Sequence, residues 1–389
     1  MKKADRILNV PPYLFAEIDK KKTEMISRGI KVIDLGIGDP DQPTPKRILK
    51  TFHKAVDDPR THNYPPYEGI KEFREAVAKW YKKRFNVDVD PDKEVLSLIG
   101  SKEGIAHVFF AFIDPGDYAL VPDPGYPVYN VATILSGGIP YHMPLLKENN
   151  FLPDFKSIDK EIIKKSKLMF INYPNNPTSA VAGREFLQEA VDFCRKNNIL
   201  LCSDLAYSEV TFDGYRAMSV LEIPGAKDIA VEFHSLSKTY NMTGWRIGMA
   251  VGSSYAISAL SIIKTNIDSG IFKAIQLAGV EALNGPQKEI DDMNKLYTRR
   301  RNILVDGLNS LGWNIEYPKA SFYIWAPVPR PFTSSSFVTH LLEKTGVLVV
   351  PGSGYGKSGE GYFRVSITAD DNKIKEAIAR MKKEGISFK

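Results

Sequence analysis

The run "SLSKTYNMTGWRIG", residues 235–248, isolates Lys238 among small and hydroxyl side chains and places Arg246 eight positions later. Burial beside other cations lowers the pKa of an amine and turns it into a nucleophile near neutral pH. Lys238 is therefore a candidate for Schiff-base chemistry. Ser235 offers a hydroxyl donor and Arg246 a permanent planar cation, a pair suited to holding a phosphate beside that amine. The lysine alone would carry little, since most lysines are solvated surface groups.

A phosphate next to a Schiff-base lysine points to pyridoxal phosphate, whose pyridinium nitrogen takes an acidic or basic partner from the protein. Asp204, closing the apolar run "ILLCSD", is the carboxylate in reach; read alone it is equally a helix cap. Tyr207, three residues on, and Asn176 in "YPNNPT" can both donate to the phenolate oxygen of such a ring. Gly100-Ser101-Lys102 ends one apolar run and opens the helical pattern "KEGIAHVFFAF", so its backbone amides and the helix dipole make an anion seat. Tyr126 in "PDPGYPVY" is placed to stack on a flat ring, and as a core tyrosine it would be unremarkable.

These residues need elements to hold them. Short apolar runs alternate with helical patterns: 95–100, 118–122, 168–173, 199–204, 229–235 and 247–252 read as strands. The alternation predicts an α/β domain with a mostly parallel sheet. Most of these runs end in polar residues, which gathers Ser101, Asn172, Asp204 and Ser235 at the carboxyl edge, where open α/β sheets bind ligands. After about residue 285 a long charged helix, strands around "FYIWAPV" and "GYFRVSIT" and a last helix suggest a smaller α+β unit. The first forty residues, with the strand "KVIDLG", are expected to pack with that tail. The division drawn is a large domain over 45–285 and a small one from 1–44 and 286–389.

The 389 residues suit two domains, and 43% hydrophobic with 25% charged is ordinary globular composition. No apolar stretch is long enough to span a bilayer and the start shows no secretory pattern, so a soluble, cytoplasmic protein is expected. Cys194 and Cys202 suit packed, reduced thiols, and no metal site is expected. A net charge of +6 without a basic block excludes a nucleic-acid surface while leaving room for a small anionic ligand. The run "PGSGYGKSGEG" (351–361) mimics the end of a phosphate-binding loop. It lacks the first glycine, having Pro351 there, and a strand rather than a helix follows, so a mobile loop is the reading preferred.

Taken together, the chain resembles the fold-type I, class I/II aminotransferases that use pyridoxal phosphate, over nearly its whole length. The lysine signature is matched throughout 235–248. The resemblance implies a large domain with a mostly parallel seven-stranded sheet flanked by helices, plus a smaller α+β domain closing over the site. It makes Lys238 the lysine that bonds the cofactor, with Ser101, Lys102, Ser235 and Arg246 around the phosphate. Asp204 would pair with the pyridinium, Tyr207 and Asn176 would bind the ring oxygen, and Tyr126 would stack on the ring. "NYPPYEGIKEFREAVAKWY" resembles the segment whose tyrosine, here Tyr64, reaches the phosphate of the partner subunit, which implies a homodimer.

By the same comparison Arg364 would clamp the substrate α-carboxylate. Strand alternation agrees, placing Tyr362, Arg364 and Ser366 on one face and Phe363, Val365 and Ile367 toward the core. Gly38 in "LGIGDP" would let that carboxylate approach the backbone. One departure is Ser179 after "NPT", where the family usually has glycine. The implied chemistry is transamination, with Lys238, once displaced by the substrate amine, serving as the base at Cα.

Within the family, "YLFAEI", "LIGSKEGIAH" and "EFHSLSKTYNMTGWRIG" are most similar to the LL-diaminopimelate aminotransferases of lysine biosynthesis. In that subgroup Tyr13 and Lys102 match positions facing the substrate, as Tyr126 and Asn176 also do. Asp268 in "TNIDSG" is a candidate to meet the distal ammonium across the dimer, and a helix-capping residue otherwise. Aspartate, alanine or aromatic aminotransferases would use the same catalytic set; a carbon–sulfur lyase or a cofactor sensor on the same fold are more remote alternatives.

Overall fold

In the computed structural model, which describes residues 1–12 and 14–388 with the side chains of 14–19 excepted, twelve strands are present among the described residues. In chain order they are β1 Ile33–Asp34, β2 Val95–Leu98, β3 Tyr118–Asp123, β4 Ile139–Pro144, β5 Ser166–Asn172 and β6 Leu200–Asp204. The rest are β7 Ala230–Ser235, β8 Gly248–Gly252, β9 Tyr323–Pro327, β10 Val347–Leu348, β11 Val350–Pro351 and β12 Tyr362–Ser366.

Seven of them form one sheet in the order β2-β8-β7-β6-β5-β3-β4. Only β8 runs antiparallel to its neighbours, so the sheet is mostly parallel, as the sequence predicts. Helices cover both faces, which is why these strands are apolar runs rather than alternating ones. Leu168 and Phe170 of β5 pack with Val108 and Phe109 on one face, while Met169 and Ile171 pack with Val77 and Leu187 on the other. Each side chain of this size stabilises the fold by roughly 1.5–3 kcal/mol when fully buried. Strand β4 escaped the sequence reading because Pro140 and Pro144 interrupt it, and prolines of this kind are tolerated at a sheet edge, where β4 lies.

The chain leaves β3 for the edge strand β4 and then returns on the other side of β3 as β5. The two strands thus flank a point where the order reverses, the crevice at which open α/β sheets take their ligands. Tyr126 follows β3 and Asn176 follows β5, so both stand at that crevice.

A second core gathers Leu304 and Leu308 of the helix Gln287–Ser310, Phe337 of the helix Ser334–Thr345 and Ile374 of the helix Asp371–Lys383 with Phe322, Ile324 and Val365. Its antiparallel sheet runs β11-β12-β9. Strand β1 pairs in parallel with β10, Ile33 opposite Val347, whereas the helix Asp5–Leu8 contacts the helix Val128–Leu135 beside the large sheet, so only part of the early segment packs with the tail. Tyr207, Val210 and Phe212, just past β6, belong to this second core and tie it to the sheet.

The glycine-rich run 351–361 folds as two 3-10 turns, Gly352–Tyr355 and Lys357–Gly359, rather than as a loose loop. Tyr355 is buried there and Asp123 Oδ1 accepts from the Ser358 amide at 3.0 Å. Cys194 and Cys202 are free and buried, and burial pushes both thiols up. Among the described residues no helix is long and apolar enough to cross a membrane.

Candidate active site

One cavity of about 520 Å³ brings together eleven of the residues singled out in the sequence: Gly38, Ser101, Lys102, Tyr126, Asn176, Asp204, Tyr207, Ser235, Lys238, Arg246 and Arg364. Tyr64 and Asp268 do not line it, and Tyr13 lies outside the described residues.

Lys238 lies in a single helical turn, Leu236–Thr239, capped by Ser235, whose Oγ accepts from the Ser237 amide at 3.2 Å. Its Nζ donates to the Gly38 carbonyl at 2.7 Å. Loss of hydration lowers the basicity of this amine, and the charges of Arg364 and Arg246 lower it further against the pull of Tyr323 and Asp39. That is the electrostatic setting expected for a nucleophilic lysine.

Arg246 holds a left-handed backbone, φ 55°, at the end of the 3-10 turn Thr243–Trp245. Such a conformation is costly for a residue with a Cβ and tends to mark sites where a side chain must be aimed. Its Nη1 is fixed by the Thr243 carbonyl at 2.8 Å. The other end of the guanidinium lies against Gly100, where an added Cβ would come within 2.5 Å of Nη2. Gly100, at φ 74°, is the N-cap of the helix Ser101–Phe112 and supplies no side-chain cap. The first amides of that helix, Arg246 and Lys102 therefore bias one wall toward anions. Burial, and then Arg246, lowers the basicity of Lys102, whose Nζ stands 5.9 Å from the centre of the Tyr126 ring.

Asp204 ends β6 and is buried. Its Oδ2 accepts from the Tyr129 hydroxyl at 2.7 Å and its Oδ1 from the Ala206 amide at 3.3 Å. Burial nevertheless raises its pKa to about 6, since a hydroxyl and one amide only partly offset desolvation. No α-helix follows for it to cap.

Asn172 organises the neighbouring turn, donating to the Asp204 carbonyl at 2.7 Å and accepting from the Asn176 amide at 2.8 Å. The Asn176 side-chain oxygen takes Nη1 of Arg364 at 2.7 Å, which leaves its NH₂ end as the donor. Arg364 is 1% exposed, far from a surface-strand arginine. Nη2 donates to the Gly36 carbonyl at 2.6 Å and the guanidinium stacks 4.0 Å from the Tyr323 ring centre. Phe363, Val365 and Ile367 lie in the second core, as the alternation on β12 predicts.

Tyr207 does not meet Asn176 directly. Its hydroxyl pairs with that of Tyr323 at 2.8 Å, and burial pushes it well up, so it stays protonated. Gly38 is required by the same tyrosine: a Cβ there would fall 2.0 Å from the Tyr323 hydroxyl. Ser179 adopts the left-handed conformation, φ 61°, that its family glycine would take, and its hydroxyl bonds Ser321 Oγ at 2.8 Å.

Tyr129 and Tyr323 are the site residues that the sequence reading leaves out, while Asn172, placed at the sheet edge by its strand end, takes its role from the contacts above. Tyr129 follows Tyr126 by three in a helical start, and Tyr323 alternates with Trp325 on β9, where Trp325 faces Arg364 in register. Both signals were present. Tyr64 is 85% exposed, and Asp268 is held by Lys264 Nζ at 2.9 Å and by the Gly270 amide at 2.7 Å.

The sequence of residues 30–381 matches the family model for aminotransferase class I and II. The chain is 57% identical to the LL-diaminopimelate aminotransferase of Halothermothrix orenii and 56% to the LL-diaminopimelate aminotransferase 2 of Trichormus variabilis, each over 389 residues that cover 100% of both chains. Among solved structures, substrate-bound BacF from Bacillus subtilis superposes with a TM-score of 0.96 at 36% identity, covering 100% of this chain and 99% of that one.

Proposed function

Because the chain belongs to the class I and II aminotransferases, we propose that this aminotransferase uses pyridoxal phosphate to move an amino group between LL-2,6-diaminopimelate and 2-oxoglutarate, giving tetrahydrodipicolinate and L-glutamate in lysine biosynthesis. One observation carries the substrate reading. Besides Lys238, the cavity holds three basic side chains, Arg246, Arg364 and Lys102, which match a cofactor phosphate and one carboxylate at each end of a two-headed substrate.

The residues fit the cofactor. The wall formed by Arg246 and the Gly100 start of the helix Ser101–Phe112 calls for an anion, and the buried Asp204 carboxylate, already destabilised by desolvation, calls for a cationic partner. When bound, pyridoxal phosphate supplies the electron sink that makes the substrate Cα–H acidic. Arg246 and Ser235 would hold its phosphate, Asp204 would keep the ring nitrogen protonated, Tyr126 would cover the ring, and Tyr207 and Asn176 would donate to the ring oxygen.

The chain's own groups do the rest. Arg364 binds the α-carboxylate through its fork, with Gly38 leaving room at the backbone. Lys238 Nζ, poised by its lowered basicity, takes the proton from Cα and redelivers it, a contribution of about 10²–10⁴-fold for a positioned base. Lys102 takes the distal carboxylate. The exposure of Tyr64 suits a homodimer in which it completes the partner's site, and a biosynthetic role of this kind suits the cytoplasm.

The test is a single-turnover titration of the cofactor-loaded protein with LL-diaminopimelate, glutamate, aspartate, alanine and phenylalanine, followed by absorbance of the bound cofactor. Fast conversion with diaminopimelate and glutamate and slow conversion with the others is expected. Equal or faster conversion with aspartate, alanine or phenylalanine would sink the lysine-pathway assignment.

A further inference from the structure

Below the anion seat lies a buried charged cluster that takes no part in the chemistry above. Lys264, on the helix Ser254–Ile267, is 1% exposed. Its ammonium is held by both carboxylate oxygens of Asp268, at 2.9 and 3.0 Å, and lies 3.6 Å from Glu103 Oε1. His107 Nδ1 stands 2.8 Å from the same Glu103 oxygen, outside hydrogen-bond geometry. The ligand atoms of Glu103, His107 and Asp268 lie within 4.8 Å of one another, a spacing a metal ion could use. The Lys264 ammonium already supplies the cation among them, which removes the electrostatic reason for a metal.

Each anion of the cluster grips a different part of the site's frame. Glu103 Oε2 accepts from the Ile99 amide at 2.8 Å, fixing the turn that leads from β2 through Gly100 into the helix Ser101–Phe112. Asp268 Oδ1 accepts from the Gly270 amide at 2.7 Å, and that turn packs on Pro65 and Pro66 beside Tyr64, where a Cβ on Gly270 would meet Pro65 Cγ at 3.0 Å. Lys264 thus joins the strand-to-helix turn of the anion seat to the segment presenting Tyr64.

We infer that Lys264 is a positioning residue: clamped between Glu103 and Asp268, its buried ammonium fixes the first turn of the helix Ser101–Phe112 at its own subunit's phosphate seat and, through Asp268, the segment that presents Tyr64 to the partner's. This rests on the cofactor reading above. A buried charge held on two sides resists displacement, because breaking either contact leaves an uncompensated charge away from water. Small shifts of the first-turn amides weaken a phosphate contact steeply, since charge-assisted hydrogen bonds depend on distance and direction. The ring end of the cofactor, held by Asp204 and Tyr126, would not sense the change.

The experiment titrates the full chain, wild type and variants, with pyridoxal phosphate and with pyridoxal, which lacks the phosphate, and compares the two dissociation constants. Lys264→Met is expected to shrink the ratio between them by about 10-fold or more through the phosphate arm alone. Lys264→Arg, which keeps the charge, is expected to restore most of it. General loosening would instead raise both constants together and overturn the inference, as would ratios within twofold of wild type in both Lys264→Met and Asp268→Asn. If Lys264→Met does not fold, Asp268→Asn at the outer end of the clamp decides between the same outcomes. A wild type that binds pyridoxal as tightly as its phosphate would overturn the cofactor reading itself and this inference with it.

Discussion

Tyr129 donates its hydroxyl to Oδ2 of Asp204 across 2.7 Å, and both groups are buried. The bond favours the ionised carboxylate, so it works against the burial that raises Asp204 to about 6. Removing it in Tyr129→Phe leaves the ring and its stacking on Phe170 in place while stripping the carboxylate of its closest donor. With pyridoxal phosphate bound as proposed, Asp204 would then compete better for the ring-nitrogen proton and the electron sink would weaken. A hydrogen bond to a charged group is worth roughly 1.5–3 kcal/mol, so kcat should fall about 10–100-fold with KM little changed. Steady-state kinetics across pH checks this; an unchanged kcat would remove Tyr129 from the mechanism.

The raised pKa of Asp204 also makes a stability prediction for the cofactor-free protein. A carboxyl group whose folded pKa lies above its unfolded value holds a proton in the native state that the unfolded chain has released. Its ionisation therefore costs native stability as pH rises from about 4 through about 6, and costs nothing below that window. Asp204→Asn, which cannot ionise, should melt at a higher temperature than wild type above pH 6 and at a similar temperature near pH 4. Adding pyridoxal phosphate should reverse the order by stabilising wild type more. Thermal melts with and without cofactor at the two pH values decide it, and a pH-independent difference would contradict a buried, strained carboxylate.

Much of this was legible in the sequence because it rests on short-range pattern. The apolar runs ending in Asp204, Ser235 and Asn172 located the carboxyl edge of the sheet, and strand alternation placed Arg364 away from the second core. What the pattern could not give is pairing across long separations. Tyr207 meets Tyr323, and Lys264 reaches Glu103, only once distant segments have packed, so neither contact leaves a periodic trace. Strand β4 was lost for a local reason, since its prolines contradict the usual signature of a strand. Asp268, readable from sequence as an ammonium partner or a helix cap, stands at the C-terminal cap of the helix Ser254–Ile267, with its carboxylate held by the lysine four residues before it.

Arg364 and Lys102 should separate by substrate. Arg364 is committed by Asn176 and Gly36 to one buried orientation, suited to the carboxylate that every amino acid carries. Arg364→Gln should therefore lower kcat/KM for diaminopimelate, glutamate and alanine alike, by about 10²-fold or more, as loss of a charge-assisted fork implies. Lys102→Met, measured at saturating cofactor, should weaken diaminopimelate and glutamate about 10-fold while leaving alanine, which has no distal carboxylate, near its wild-type value. Half-reaction rates with the three amino acids test both. Equal losses on all three in Lys102→Met would mean that Lys102 serves the cofactor alone.

The exposure of Tyr64, at 85%, is uneconomical for an aromatic side chain unless another surface covers it. In a twofold dimer each subunit offers the same patch to the other, so a residue absent from its own cavity can complete the partner's. Chain mixing tests this without reference to how much Tyr64 contributes. A Tyr64→Ala chain retains Lys238, and a Lys238→Ala chain retains Tyr64. In a hybrid of the two, one site has both residues and the other has neither, so each hybrid dimer should show half the activity of a wild-type dimer. Unfolding the chains together and refolding them should yield hybrids for half of all dimers, and thus about a quarter of wild-type activity from two impaired parents. If Tyr64 instead served its own subunit's site, every site would lack one of the pair, and mixing would give no gain over the average of the parents.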